Sequence, residues 1–221
     1  FSEQYLSEKF FKEGVKNTEY INLELDNLNN LKYKIKELNL SGFNVTIPYK
    51  IEIISKLDFI SNQAKTINAV NTVKVIEGKL YGYNTDIIGF TKSIAPLLNK
   101  RKTALVLGNG GSSKAIQFAL HKLNINWRVV SRNTDFDYRQ ITKDTVDSVE
   151  IIINCTPLGT YPNINESPNI PYKYLNKSHL CYDLIYNPEE SQFIKKSKTN
   201  NAKTINGLKM LKIQADESWK I

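Results

Sequence analysis

The feature that most constrains the fold is a stretch of twenty-one residues, 103–123. Thr103-Ala104-Leu105-Val106-Leu107 is a short apolar run, suited to a strand buried on both faces. Gly108-Asn109-Gly110-Gly111-Ser112-Ser113 follows at once. A helical pattern then begins, with Ala115, Ile116, Ala119, Leu120 and Leu123 on one side. A buried strand, a glycine turn and an amphipathic helix form the arrangement that binds dinucleotides. Gly108 permits the tight turn, and Gly110 lets backbone approach a pyrophosphate at the helix N-terminus. The third glycine of the usual fingerprint is replaced by Ser113. A glycine turn alone is weak evidence; its position between a buried strand and a helix gives it weight.

The next strand, Trp127-Arg128-Val129-Val130, ends at Ser131-Arg132-Asn133. An acidic residue at this point would bind a ribose diol, as in NAD sites. Arg132 instead suits a charge-assisted pair with a 2′-phosphate, supported by Ser131 and Asn133, so NADP is the expected cofactor. Further strands are read at Ile151–Asn154 and Cys181–Ile185, and a helix from Gly207 to the end of the chain.

The first hundred residues carry a different pattern. A helix is expected over 3–13, a strand over 18–25 through Ile21, Leu23 and Leu25, and a helix over 28–38. A strand over 42–47 then places Phe43, Val45 and Ile47 on a buried face, with Asn44 and Thr46 on the other. This β-helix-β rhythm predicts a layered α/β unit with parallel pairing. Pro48 ends the strand, and Lys50 stands at the corner that follows. An amide, a hydroxyl and an ammonium in a row suit an anionic, polyhydroxylated small molecule. A hairpin is read through Glu77-Gly78, then a helix from Ile87 to Leu98 that bridges two lobes, with Asp86 as its cap.

Composition excludes several classes. No apolar run is long enough to span a bilayer and no signal-peptide pattern opens the chain, so the expected address is the cytoplasm. Cys155 and Cys181 lack metal-ligand spacing and read as buried reduced thiols; no metal is expected. His121 and His179 are isolated and read as surface or packing residues. The formal charge of +8 raises nucleic acid as a partner. The lysines are scattered, however, without a stripe of aromatics, so no nucleic-acid partner is expected. The basic field would still attract an anionic substrate.

The motifs form an ordered series, and together the sequence resembles the shikimate dehydrogenases, in the short form seen in Bacteroidetes-type bacteria. The matching blocks are residues 42–50, Ala69-Val70-Asn71-Thr72, Gly82-Tyr83-Asn84-Thr85-Asp86-Ile87-Ile88-Gly89 and residues 108–111. They continue with residues 153–159, Tyr182-Asp183-Leu184-Ile185-Tyr186-Asn187-Pro188 and residues 206–214. The resemblance implies reduction of 3-dehydroshikimate to shikimate with NADPH, in aromatic amino-acid biosynthesis. It implies Lys50 and Asp86 as the catalytic pair. Asn71, Thr46 and Gln214 would hold ring hydroxyls beside Asn44, with Tyr186 near the substrate. Ser2 matches a serine that binds the substrate carboxylate. On the cofactor side it adds Thr156 and Gly207 to Gly108, Asn109, Gly110, Gly111, Ser112, Ser131, Arg132 and Asn133.

The implied fold is α/β and two-lobed. An N-terminal α/β substrate domain (1–99, with 207–221 returning to it) would join a Rossmann-type doubly wound NADP-binding domain (100–206). A small-molecule substrate and a monomer or homodimer are expected. Departures from the family pattern are the chain's start at Phe1, which omits a preceding serine and a first strand, the changed neighbours of Arg132, and Thr160 after Gly159. The start is consistent with a fragment. Two rival readings are an NAD-using quinate/shikimate dehydrogenase and a non-catalytic dinucleotide-binding protein. Arg132 argues against the first, and the joint presence of Lys50, Asp86 and Gln214 against the second.

Overall fold

A computed structural model describes all residues of the chain except Asn133. The expected cofactor role of Asn133 therefore lies outside the described residues. The first lobe opens with helices α1 (Ser2–Lys12) and α2 (Leu31–Glu37). Its strands are β1 (Gly42–Asn44) and β2 (Phe59–Ile60), followed by helix α3 (Asn62–Ile67). A hairpin of β3 (Thr72–Ile76) and β4 (Lys79–Tyr83) completes the sheet. Glu77 and Gly78 both take positive φ, +49° and +73°, as a two-residue hairpin turn of matching twist requires. The sheet order is β1-β3-β4-β2. Leu28, Leu31, Ile35, Val45, Ile53, Val70, Val73 and Leu80 form the core of this lobe.

Three expectations for this lobe need correction. Residues 18–25 form no strand: no backbone ladder bond joins them to a strand among the described residues, and they meet β1 and the turn after it only through Tyr20 and Tyr49. Their alternation is present, yet Ile21 and Leu23 remain about 39% and 41% exposed. The strand expected over 42–47 stops at Asn44, and Ile47 is 67% exposed. Its last ladder-like bond is Val45 N to Asn71 O at 2.8 Å, after which the chain turns through the cis Ile47–Pro48 bond toward Lys50. Pairing is mixed rather than parallel. β3 is antiparallel to both β1 and β4, and β2 alone pairs in parallel, with β4.

Helix α4 (Asp86–Ile94) leads into the second lobe, continued by a 3₁₀ turn over Ala95–Leu97. There follow β5 (Thr103–Leu107), α5 (Gly111–Lys122), β6 (Asn126–Val130), α6 (Lys143–Asp147) and β7 (Ile151–Asn154). β8 (Leu180–Asp183), α7 (Gln192–Thr199), β9 (Lys203–Ile205) and α8 (Leu208–Trp219) end the chain. The five strands are all parallel, in the order β6-β5-β7-β8-β9.

Period-two burial is clearest in β5. Ala104 and Val106 face a core shared with α4 and α5, whereas Leu105 and Leu107 face one shared with α6 and α7. The sheet is thus covered on both faces, as a parallel sheet must be. Since β6 lies on one side of β5 and β7 on the other, the strand order reverses at β5. Ligands of open α/β sheets bind at the carboxyl ends of the strands at such a point. Helix α8 leaves this lobe and packs along α4. Among the described residues, no helix is long and apolar enough to cross a membrane.

Candidate active site

Lys50 and Asp86 meet although thirty-six residues separate them. The Lys50 carbonyl accepts from Val70 N at 2.7 Å, which ties the turn after β1 to the segment entering β3. Asp86 opens α4, where the helix N-terminus favours a carboxylate. The N-cap position itself belongs to Thr85, so Asp86 is not the cap that the sequence suggested. Lys50 Nζ donates to Asp86 Oδ2 at 2.6 Å, with the two side chains only 13% and 5% exposed.

Asn71 holds the other face of that carboxylate, donating from Nδ2 to Asp86 Oδ1 at 2.9 Å. The same nitrogen lies 3.0 Å from Thr85 Oγ1 and 3.2 Å from Gln214 Oε1. The orientation of the amide is set by its oxygen, which accepts from Thr85 N at 2.8 Å and Thr72 Oγ1 at 3.1 Å. Asn71, Thr72, Thr85 and Asp86 are all buried, so this polar cluster is satisfied internally. It extends outward from Thr72 to Ser218 Oγ at 3.0 Å, from Ser218 to Asn44 Oδ1, and from Asn44 Nδ2 to the Tyr20 hydroxyl at 3.3 Å.

Gln214 enters this cluster because α8 crosses close to α4 at Gly89. A Cβ on Gly89 would stand 2.8 Å from the Met210 carbonyl oxygen and 3.0 Å from Gln214 Cβ. Tyr186 is about 37% exposed, and its ring lies 5.6 Å from that of Phe1, which precedes Ser2 in the first turn of α1. Thr46 stands apart from the cluster. It is exposed, with its hydroxyl 3.5 Å from the Ile47 carbonyl.

The glycine turn faces this cluster from the second lobe. Gly108 takes φ +100°, and Ser113 reaches back to its carbonyl oxygen at 2.7 Å. The serine that replaces the third glycine thus pins the turn to its own helix. Gly110 is the N-cap of α5 and offers no side-chain cap, leaving the helix's first N–H groups for a ligand. A Cβ on Gly110 would meet nothing within 4 Å, so a phosphate has room there. Asn109 is exposed beside it. These features fit a dinucleotide pyrophosphate.

Thr156 Cγ2 stands 3.2 Å from the Cβ position of Gly108, so the loop after β7 forms the neighbouring wall. Asn154 orders that loop, accepting from Thr156 N at 3.0 Å and Thr156 Oγ1 at 2.7 Å, and donating to buried Asp183 at 3.0 Å. Gly207 is the N-cap of α8, with its N–H donating to the Ile185 carbonyl at 2.9 Å. Ser131 N donates to Thr134 Oγ1 at 3.1 Å, which shapes the turn after β6. Arg132 is exposed on that turn, near Tyr138.

Both cysteines are free thiols. Burial pushes the Cys155 thiol well up, with Asp183 and Asp86 adding to the shift, and pushes Cys181 up to about 12. Both are therefore neutral. His179 is a packing residue, with Nδ1 accepting from Asn176 N and Nε2 3.1 Å from the Val146 carbonyl.

Sequence reasoning missed Ser218, Tyr20 and Thr134. They carry no signal beyond being polar, and their partners lie far along the chain or in an irregular turn. It also gave no role to Asn154 and Asp183, which it read as strand residues and as members of the matching blocks. A polar residue closing an apolar strand was the available signal.

Comparison with known proteins gives a consistent result. The family model described as the shikimate dehydrogenase substrate binding domain matches residues 2–73. A shikimate dehydrogenase (NADP(+)) of Methanococcus vannielii is 41% identical over 219 residues, covering 89% of this chain and 77% of its own. The crystal structure of shikimate dehydrogenase from Aquifex aeolicus superposes with a TM-score of 0.88 at 34% identity, over 99% of this chain and 86% of that one. The Thermus thermophilus shikimate 5-dehydrogenase, solved in complex with NADP(H) and shikimate, gives a TM-score of 0.86 at 27% identity, over 99% and 87%.

Proposed function

The chain belongs to the shikimate dehydrogenase family, and from that premise we propose that Lys50 and Asp86 are the proton-handling pair of an NADPH-dependent reduction of 3-dehydroshikimate to shikimate. The activity itself follows from the relatives, which are NADP-dependent shikimate dehydrogenases. The observation that carries the residue assignment is the 2.6 Å bond from Lys50 Nζ to Asp86 Oδ2 beside the glycine turn.

Ketone reduction leaves negative charge on oxygen, and that oxygen must receive a proton. When bound, the reduced nicotinamide supplies the hydride. Lys50 gives one ammonium proton to the developing alkoxide and then regains one from solvent. Asp86 keeps the ammonium in place, and Asn71 keeps Asp86 in place. Their burial strengthens these bonds and lets little water compete.

Asn44, Thr46, Asn71 and Gln214 are assigned to the substrate's ring hydroxyls. Ser2 is assigned to its carboxylate and Tyr186 to the outer rim. The backbone of the turn from Gly108 to Ser112, which a change of the Ser112 side chain leaves in place, would cradle the pyrophosphate, with Thr156 and Gly207 lining the nicotinamide end. Ser131 and Arg132 would take the 2′-phosphate. The two separate sheets support a division into 1–99 with 207–221 for substrate and 100–206 for NADP.

The test is NADP-linked oxidation of shikimate, run beside quinate and with both nicotinamide cofactors, for the parent protein and Lys50→Ala. Shikimate with NADP should be the best pair. Lys50→Ala should lower kcat by ~10²–10⁴ with a smaller change in KM. Near-normal turnover would remove Lys50 from the chemistry. Preference for quinate with NAD would favour the rival reading.

A further inference from the structure

Two adjacent serines open α5, and they do different things. Ser113 is buried and bonds the Gly108 carbonyl of its own turn. Ser112 bonds to the first lobe instead. Its Oγ accepts from Lys50 Nζ at 3.1 Å, across the boundary between the lobes. Gly111 makes this approach possible, since a Cβ there would stand 2.9 Å from Lys50 Cβ and 3.7 Å from Ala69 Cβ.

An ammonium carries three N–H donors on a flexible four-carbon stem. Asp86 alone would leave Nζ free to rotate about that one bond. A second acceptor fixed on another rigid element removes the rotation. The third N–H then has one direction, set jointly by α4 and by the first turn of α5.

We propose that Ser112 is a positioning residue for Lys50, so that the turn cradling the pyrophosphate also aims the proton the reaction consumes. The inference rests on Lys50 as the proton donor. It makes the amine's alignment depend on the seating of α5 against the first lobe. That dependence is absent if Lys50 is held by Asp86 only.

Ser112→Ala is the direct test, with Ser112→Thr as the variant that keeps the hydroxyl. Losing one hydrogen bond to a charged group while Asp86 remains should lower kcat about fivefold to twentyfold. The KM for shikimate and the Kd for NADPH, read by fluorescence titration without turnover, should stay within about twofold. The solvent deuterium isotope effect on kcat should rise, since a less well-aimed proton transfer becomes more rate-limiting. Ser112→Thr should recover most of the loss.

In the Lys50→Ala background, Ser112→Ala should change the residual rate by less than about twofold, because a residue acting through Lys50 has nothing left to act on. An unchanged kcat in Ser112→Ala overturns the inference. So does an equal loss with and without Lys50, or a loss that appears in the Kd for NADPH instead of kcat. Near-normal turnover of Lys50→Ala itself overturns the underlying reading as well, which distinguishes the two failures.

Discussion

Asp183 offers a quantitative test of the nucleotide-side wall. It ends β8 with 0% exposure. Its Oδ1 accepts from Asn154 Nδ2 and Ile185 N, both at 3.0 Å, and its Oδ2 accepts from Ser191 Oγ. Burial raises the carboxyl from 3.8 to about 6, while the bonds from Ser191, Ile185 and Asn154 pull it part of the way back. The sign follows from linkage. Between pH 3.8 and about 6 the folded chain holds this proton and the unfolded chain has released it. The stabilising contribution is therefore complete below the lower value and is lost as pH rises through the upper one. That gap corresponds to about 3 kcal/mol.

Asp183→Asn removes the titration with almost no change in shape. Its oxygen can still accept from Asn154 and Ile185, and its amide can donate to Ser191. Thermal melts of both proteins from pH 4 to pH 7.5 at one ionic strength should show the variant gaining on the parent as pH rises. At about 2–4 °C per kcal/mol for a chain of this size, the relative gain is about 6–12 °C. Glu13, Asp137, Glu190 and Glu217 run the other way. Bonds from Trp219, Arg139, Lys198 and Lys92 hold their carboxyls below the usual range. Both proteins carry those groups, so they cancel in the difference. Melting curves that stay parallel across the whole range would refute the assignment of this titration to Asp183.

Two further substitutions probe the substrate and cofactor ends of the site. Gly89→Ala places a Cβ 2.8 Å from the Met210 carbonyl, which is backbone and cannot swing aside, so α8 must move off α4. The cost should be ~1–3 kcal/mol of stability, and the loss of Gln214 from Asn71 and Thr85 should raise the KM for shikimate about tenfold. A lower melting temperature with an unchanged KM would separate Gln214 from substrate binding. Arg132→Ala should weaken use of NADPH by roughly ten- to a hundredfold and leave NADH little changed, from a charge-assisted bond of ~1.5–3 kcal/mol; equal losses with both cofactors would deny it the 2′-phosphate.

What could be read from the chain divides along a physical line. β5, the glycine turn, α5 and the β3–β4 hairpin were legible because their signals are local. A strand buried on both faces, a turn needing positive φ and an amphipathic helix each lie within a short window. The segment 18–25 carries an equally good alternation and is no strand, since pairing depends on a neighbour that its own residues do not specify. Ile47 reads as buried for the same reason and is exposed, because the ladder ends before it. In the polar cluster, Asn71, Asp86 and Gln214 were named through the family resemblance. Ser218, Thr72 and Tyr20 extend it through contacts that no local pattern encodes. Ser112 and Ser113 are indistinguishable by type, and only the fold sends one back to Gly108 and the other to Lys50.

Helix α4 connects these observations. Ile87, Phe90 and Ile94 bury it against the five-stranded sheet, while its first residue, Asp86, holds Lys50 in the other lobe. The glycine turn is seated on that same sheet by α5, whose Ala115, Ile116 and Ala119 share the core with α4. The spacing between Asp86 and Ser112 is therefore set by the packing of two helices on one sheet face, not by either loop. Lys50 spans the pair with bonds of 2.6 and 3.1 Å, so an error in that packing is felt directly at the amine. Ile116, from which Ile116→Val removes a methylene, is fully buried in the shared core. The substitution acts on the reaction only by letting α5 shift against α4, and a side chain held from both helices leaves little tolerance for that shift.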